Sequence, residues 1–434
     1  MIEQCVILAG GLGSRLATTD SGSPKALTKI LGEPILENQI KKLSKLGVKE
    51  VVLLLGHKAS QIQNYFGDGA HYDVSLRYVI EEEQLGTGGA ILNAFPILND
   101  EFMVLYGDIF FDFSVDDFYR FHKKNDALVS LVIHPNDHPF DSDLVVVDAS
   151  SRVLEILPSP HSEDLHYNNL VNAAAYIFNR SVFSGPFTKK PDLTKDILPV
   201  LIGAGVDVFG YRTTEYLKDM GTPDRLKKVT QDILSQKVLR RTNGSSQKIA
   251  VFLDRDGVIN YDTGHISRLK DFQLIDGAAE GIKVLNQLGV LVVVVTNQPV
   301  LARGDLSFKG LEEIHKKMET LLGNQGAFID DLFFCPHHPD SGFEGEVPAL
   351  KQDCDCRKPK TGMIDAALQK YNINESISWL IGDRLSDIEA GTRSGVKTIL
   401  VGSRSLKDQS VKPLFRCNDL ISSAEFIRDQ VGVL

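Results

Sequence analysis

The chain has 434 residues, 43% of them apolar and 24% charged, an ordinary globular composition too long for one hydrophobic core. Two domains of about 200 residues each are expected. A formal net charge of −10 excludes bulk attraction to a polyanion, so no nucleic acid partner is expected and any nucleotide must be held by a local site. No apolar run approaches the roughly 20 residues that cross a bilayer, and the first, Cys5 to Ala9, is too short for a signal peptide, so a cytoplasmic chain with no membrane partner is expected.

In chain order, short β-branched runs alternate with amphipathic stretches. Residues 4–9, 50–55, 102–107 and 128–133 read as strands, with helical patterns near 34–46, 58–66 and 86–95. This is the βαβ rhythm of a mainly parallel, doubly wound α/β sheet. From 136 to 180 the chain is richer in Pro, Asp and Ser, with strands at 143–148 and 172–178, and reads as an inserted lobe on the substrate side. The first strand delivers Leu8-Ala9-Gly10-Gly11-Leu12-Gly13-Ser14-Arg15, and Pro24-Lys25 follows. Glycines just past a buried strand let backbone N–H groups approach phosphate oxygens. Arg15 adds a forked cation and Lys25 a point charge. No Gly-Lys-Ser/Thr follows, so the loop is not a Walker A loop.

The GGxGxR string with a downstream PK resembles the signature of the sugar-phosphate nucleotidyltransferases, over residues 1 to about 235. That resemblance implies a Rossmann-like domain with a mixed sheet, in which a sugar 1-phosphate attacks the α-phosphorus of a nucleoside triphosphate and pyrophosphate leaves. It implies nucleotide contacts from Leu8, Ala9, Gly10, Gly11, Gly13, Gln84, Gly86 and Thr87, and a sugar contact from Asn172. Asp108 and Asp219 would hold Mg²⁺, while Arg15 and Lys25 would act on the phosphates. The chain departs from the family twice. Ala174 stands where the sugar-contacting segment has Gly, and residues 153–160 lack the lysine of a Glu-Lys-Pro element, leaving Lys195 or Lys218 as substitutes. The alternative is a nucleotide-binding module that does not transfer.

A helical run at about 222–238 gives way to a polar stretch, so residues 237–247 read as a linker between domains 1–236 and 248–434. A second series then begins, with strands at 248–253, 290–295, 329–334, 378–382 and 397–401 and helices near 278–288, 308–322, 361–370 and 385–394. Its first strand delivers Asp254-Arg255-Asp256. Two carboxylates at i and i+2 past a strand end can both face a crevice, one to attack phosphorus and one to protonate a leaving oxygen. Thr296 and Asn297 end a second strand, Asp383 and Asp387 follow a third, and Arg357 and Lys358 supply cations. Cys335-x-His337 and Cys354-x-Cys356 offer four N/S ligands, enough to close a tetrahedral structural Zn²⁺ site.

These elements resemble the haloacid dehalogenase superfamily of phosphatases, across residues 248 to about 430. In that likeness Asp254 is the nucleophile, Asp256 the acid and then the base, and Thr296 and Lys358 hold the phosphoryl group. Asp254, Asp256 through its carbonyl, and Asp383 would bind Mg²⁺. Within the superfamily the zinc loop, DRDGVIN and Ala302-Arg303-Gly304 are most similar to heptose 1,7-bisphosphate 7-phosphatases, with histidinol-phosphate phosphatases the near alternative. Arg303, Arg357, Asn297 and Asn172 are the expected substrate contacts. Together the halves imply a two-enzyme chain that removes the 7-phosphate of a heptose bisphosphate and couples the product to a nucleotide, GTP by family resemblance. Another sugar phosphate and triphosphate, and a homodimer or any other oligomeric state, remain open.

Overall fold

The computed structural model describes residues 1–11, 24–242, 247–342, 344–402 and 411–432. Leu12, Gly13 and Arg15, expected at the phosphate loop, lie outside the described residues. The chain divides into two compact units: residues 1–134, 142–160 and 170–238, and residues 135–141, 161–169 and 239–434. Two pieces of the stretch read as an inserted lobe, 135–141 and 161–169, therefore belong to the second unit.

The first unit is built on a nine-stranded mixed sheet. Strand Gln4–Leu8 is central, paired in parallel with Glu50–Leu55 on one side and Glu101–Tyr106 on the other. Ser75–Ile80 extends the first side in parallel. On the other side Val171–Asn179 runs antiparallel to Glu101–Tyr106 and leads to the remaining strands, Val129–His134 and Val208–Arg212 among them. Period-two alternation of fully buried residues explains the layers: Cys5 and Ile7 face one core, Val6 the other. Separate from this sheet, Ile109–Asp112 and Tyr216–Asp219 form a two-stranded antiparallel ribbon.

The second unit has six parallel strands, in the order Asp331–Cys335, Leu291–Asn297, Ala250–Leu253, Trp379–Gly382, Lys397–Val401, Phe415–Cys417. Val251, Leu253, Val292, Val294, Trp379 and Ile381 face helices Ala278–Leu288, Phe308–Asn324 and Leu420–Val431. Phe252, Val293 and Leu380 face Gly362–Tyr371 and Leu385–Arg393. Chain order reverses beside Ala250–Leu253, which opens a crevice at the carboxyl ends of these strands.

The stretch read as a linker begins with ordered structure. Lys237–Arg241 is helical, and the Arg241 guanidinium is buried, donating to both carboxylate oxygens of Asp330 at 2.8 Å and to the Val290 carbonyl at 3.2 Å. Two adjacent arginines look like solvated linker in a sequence; here one is a buried ion pair.

Two candidate active sites and a candidate metal centre

In the first unit the carboxyl ends of four neighbouring strands open into a cavity of about 310 Å³ lined by Leu8, Ala9, Gly10, Gly11, Lys25, Glu81, Gln84, Gly86, Thr87, Tyr106 and Asp108, among others. Gly107 N–H donates to the Leu8 carbonyl and Ala9 N–H to the Leu54 carbonyl, which fixes the strand ends around it. Lys25 Nζ lies 2.6 Å from Asp108 Oδ2. Across the ribbon, Met220 N–H donates to the Asp108 carbonyl and brings Asp219 alongside. A β-carbon added at Gly221 would lie 2.8 Å from Asp219 Oδ1 and 3.5 Å from Asp108 Oδ2, so both carboxylates address one small region that only glycine leaves open. Asp219 is itself paired with Arg225. Two converging carboxylates suit a divalent cation, provided each gives up its present cationic partner.

In the second unit Asp254, Asp383 and Asp387 are all buried, and their ligand oxygens lie within 4.8 Å of one another. Lys358 Nζ is 2.9 Å from Asp254 and 2.7 Å from Asp387, and donates to the Val295 carbonyl at 2.8 Å. Gly257, at φ +85°, makes the approach of Asp383 possible, since a β-carbon there would sit 2.6 Å from that carboxylate. Burial pushes Asp254 well above the ordinary carboxylate range, against the opposing pull of Lys358. Lys358 serves two of the three buried carboxylates, and Arg384 Nε stands 3.9 Å from the third, Asp383; the cluster still carries excess negative charge, and the donor set fits a divalent cation.

Asp256 is treated oppositely. Burial would raise it, but the Arg255 guanidinium and hydrogen bonds from Asn260, Arg255 and Gln298 outweigh that and hold it below the usual range. The adjoining cavity, about 360 Å³, is walled by Arg303, Arg357, Arg384, His265, His338, Asp262 and Pro299, with Asp254, Asp256, Lys358 and Asp387 also facing it.

Beside it the four sulfur and nitrogen ligands converge. Cys335 Sγ lies 3.5 Å from Cys354 Sγ and 3.2 Å from Cys356 Sγ, and His337 Nδ1 lies 3.3 Å from Cys356 Sγ. All three cysteines are free of disulfides, and the set matches the donor chemistry of a closed zinc site.

A family model described as nucleotidyl transferase matches residues 4–236, and one described as HAD-hydrolase-like matches residues 355–421. A D-glycero-beta-D-manno-heptose-1,7-bisphosphate 7-phosphatase of Haemophilus ducreyi is 41% identical over 152 residues, 35% of this chain and 81% of that protein. The chain belongs to the nucleotidyl transferase family and, in its phosphatase half, to the heptose-1,7-bisphosphate 7-phosphatases. The alpha-anomer 7-phosphatase of Photorhabdus laumondii is 37% identical over 41% of this chain and 94% of its own length. Among solved structures, HddC from Yersinia pseudotuberculosis is 26% identical and superposes over 54% of this chain and all of its own, with a TM-score of 0.47. A D,D-heptose 1,7-bisphosphate phosphatase from B. bronchiseptica, complexed with magnesium and phosphate, is 31% identical over 42% of this chain and 99% of its own, with a TM-score of 0.38. No helix among the described residues is long and apolar enough to cross a membrane.

In the nucleotidyl transferase half, Leu8 to Gly11, Lys25, Gln84, Gly86, Thr87 and Asp108 share the cavity. Thr87 spends its hydroxyl locally, donating to Asp192 and accepting from Leu193 N–H. Asn172 is not among the cavity's lining; its amide donates to the Tyr176 hydroxyl and accepts from Ala174 N–H. Lys195 is exposed and Lys218 sits in the ribbon; neither lines the cavity. In the phosphatase half, Asn297 clamps the Lys358 backbone, accepting from its N–H and donating to its carbonyl at 3.0 Å each, while still facing the cavity. Thr296 is buried and accepts from Gln298. Asp387 joins the cluster with Asp254 and Asp383, whereas the Asp256 side chain does not. Residues that escaped the sequence reading are Glu81 at the first site, and Asp262, His265 and Arg384 at the second.

Proposed function

We propose that the phosphatase half removes the 7-phosphate of a D-glycero-D-manno-heptose 1,7-bisphosphate and that the transferase half couples the resulting heptose 1-phosphate to GMP from GTP, releasing pyrophosphate. The observation that carries the first step is the buried Asp254–Asp383–Asp387 cluster neutralised only in part by Lys358. Mg²⁺ there would screen the repulsion between substrate phosphate and Asp254. Asp254 Oδ attacks phosphorus and the sugar oxygen leaves, taking a proton from Asp256; Asp256 then takes a proton from water, whose oxygen displaces Asp254 from phosphorus. A phosphoryl dianion entering beside Asp256 raises its affinity for a proton, the direction a general acid needs. Lys358 stays on the phosphoryl oxygens, and Arg303, Arg357 and Arg384 offer forked donors to the sugar's other phosphate and hydroxyls.

In the transferase half, Asp108 and Asp219 would hold Mg²⁺ at the α-phosphate, with Lys25 and Arg15 on the triphosphate. Zinc held by Cys335, His337, Cys354 and Cys356 would pin the loop that carries Arg357 and Lys358. A cytoplasmic setting, where thiols stay reduced, suits such a site. The test is incubation of the full chain with the α- or β-anomer of the bisphosphate, GTP and Mg²⁺, with products identified by mass spectrometry. Phosphate and then a GDP-heptose are expected. Asp254→Asn should abolish phosphate release, and Asp108→Asn should abolish sugar-nucleotide formation while sparing phosphate release. A wild-type chain that forms no sugar nucleotide with any triphosphate would refute transfer.

A further inference from the structure

Strand Ala250–Leu253 delivers an arginine between two aspartates, and that arginine is not among the residues that line the cavity. Arg255 is fully buried, although a guanidinium keeps its charge and needs acceptors for its N–H groups. Two of its nitrogens turn back on Asp256: Nε lies 3.3 Å from Oδ1, and Nη2 lies 2.9 Å from Oδ1 and 3.0 Å from Oδ2. Nη2 also donates to Gln298 Oε1 at 3.1 Å. The third nitrogen, Nη1, meets helix Phe308–Asn324, where His315 Nε2 is 3.3 Å away. A guanidinium only donates, so His315 Nε2 accepts with its lone pair and the ring's proton sits on Nδ1. Burial and the charge of Arg255 push His315 down to about 3, so the ring stays neutral and keeps that lone pair. The Phe334 ring packs beside it, the two centroids 5.8 Å apart.

The donors on Asp256 are unequally shared. Oδ1 takes Asn260 Nδ2 at 2.9 Å besides both arginine nitrogens. Oδ2 takes Gln298 Nε2 at 2.9 Å. Nη2 has two N–H groups and one is committed to Gln298, so a single hydrogen is divided between the two carboxylate oxygens. Oδ1 is therefore saturated, and Oδ2 keeps room for a proton. Gln298 is fixed in turn: its carbonyl faces Arg255, and its amide nitrogen donates to Asp256 and, at 2.9 Å, to Thr296 Oγ1. The guanidinium is the hub of this frame, and His315 holds the one nitrogen that does not contact Asp256.

Resting on the phosphatase reaction proposed above, in which Asp256 is the acid, we infer that His315 is a positioning residue for that reaction: by holding Arg255 Nη1 it fixes the guanidinium that saturates Asp256 Oδ1, and so makes Oδ2 the oxygen that hands its proton to the leaving sugar oxygen. His315 does not line the cavity, so it acts only through Arg255. Its contribution belongs to one step. The bond from phosphorus to an alkyl oxygen breaks with protonation of that oxygen, whereas the bond to a nitrophenyl oxygen breaks without it, because nitrophenolate is a stable anion. Loss of the His315 acceptor therefore harms the first reaction and spares the second.

The test compares the heptose bisphosphate with 4-nitrophenyl phosphate on the full chain with Mg²⁺, each by kcat/KM, which covers transfer to Asp254 and not the later hydrolysis. In His315→Leu, which fills the space without an acceptor, kcat/KM should fall about tenfold or more for the bisphosphate and less than about threefold for 4-nitrophenyl phosphate. His315→Gln, whose Oε1 offers an acceptor at similar reach, should recover most of the loss. An equal fall on both substrates, no fall on either, or a glutamine variant as poor as the leucine one overturns the inference. Where His315→Leu does not fold, His315→Asn takes its place, its carbonyl too short to reach Arg255, and the same selective loss is expected. Asp256→Asn tells the two claims apart. It should lose far more activity on the bisphosphate than on 4-nitrophenyl phosphate; equal losses would refute Asp256 as the acid. A selective loss in Asp256→Asn with none in the leucine variant refutes the role of His315 alone.

Discussion

Replacing Lys358 with Met separates what the buried cluster does for stability from what it does for chemistry. Methionine approximates the volume and flexibility of the lysine stem without its charge. Lys358 is 3% exposed, and its ammonium lies 2.9 Å from Asp254 and 2.7 Å from Asp387. Without it Asp254 and Asp387 lose the ammonium they share beside Asp383, and losing one partner of such an arrangement costs about 3–5 kcal/mol. For a domain of 150–250 residues each kcal/mol moves the melting point by about 2–4 °C, so the second unit's transition should fall by roughly 6–20 °C at pH 8 in metal-free buffer. The pH dependence has a definite sign. Burial already lifts Asp254 and Lys358 opposes the lift; with the ammonium gone, the folded variant holds a proton that the unfolded chain releases. Its stability therefore rises as the pH falls, and the gap to wild type should narrow between pH 8 and 6. Mg²⁺ should narrow it too. Calorimetric scans at both pH values, with and without Mg²⁺, decide. A variant that melts within 2 °C of wild type at pH 8, or a gap that widens on acidification, would show that the carboxylates are not ionised together around that ammonium.

Elemental analysis of the purified chain should give about one zinc per molecule, and Cys354→Ser should lose it and destabilise the second unit. Ala174 holds φ at +52° in a bulge of strand Val171–Asn179, where glycine has no steric cost; Ala174→Gly should raise the first unit's stability by roughly 0.5–1 kcal/mol in urea titrations, and a fall would contradict it. Burial pushes His122 down to about 4, so the fold holds it neutral: its contribution is complete above pH 6.5 and fades as pH falls toward 4, about 2 kcal/mol by pH 5. His122→Gln should flatten the stability loss between pH 7 and 5 relative to wild type. Titrating Mg²⁺ into the nucleotide-free chain should reveal binding that Asp383→Asn removes and Asp108→Asn leaves intact.

Much of the architecture was legible because the central strands are continuous apolar runs that cannot be anything else once buried on both faces. Ser75–Ile80 shows why legibility ends. Its sequence, SLRYVI, is only partly buried, and it borders the sheet, so its alternation is weak; without that strand Glu81 looks like one of three solvated glutamates. Asp254 and Asp256 were recognisable from their spacing past a strand, and Asp387 lies in the first turn of the helix that follows Asp383. The clamp of Asn297 on Lys358 joins residues 61 apart and depends on the register of two loops, which no local pattern encodes. The hydrogen bonds of Asn172 within its own strand, set by the bulge at Ala174, are invisible to sequence for a similar reason.

The two carboxylate sites differ in how their charge is balanced before any cation arrives. In the transferase half each acid has its own base, Asp108 with Lys25 and Asp219 with Arg225, so the pair is already neutral. A bare Mg²⁺ entering there would strand two cations, and repulsion between them and the metal offsets what the carboxylates contribute. A triphosphate changes this, because its oxygens accept the displaced Lys25 ammonium while its metal takes over the carboxylates. Metal and nucleotide should therefore bind the first site together or hardly at all. In the phosphatase half Asp254 and Asp387 share one ammonium, and the Arg384 guanidinium 3.9 Å from Asp383 is itself paired with Asp262, so net negative charge persists and the cluster suits a divalent ion by itself. The second site is thus charged for its metal in advance of substrate. On the metal assignment proposed above, the first would hold its cations on its own acids until a triphosphate arrives, and its two carboxylates would then not compete for free Mg²⁺ with the cluster of the second unit.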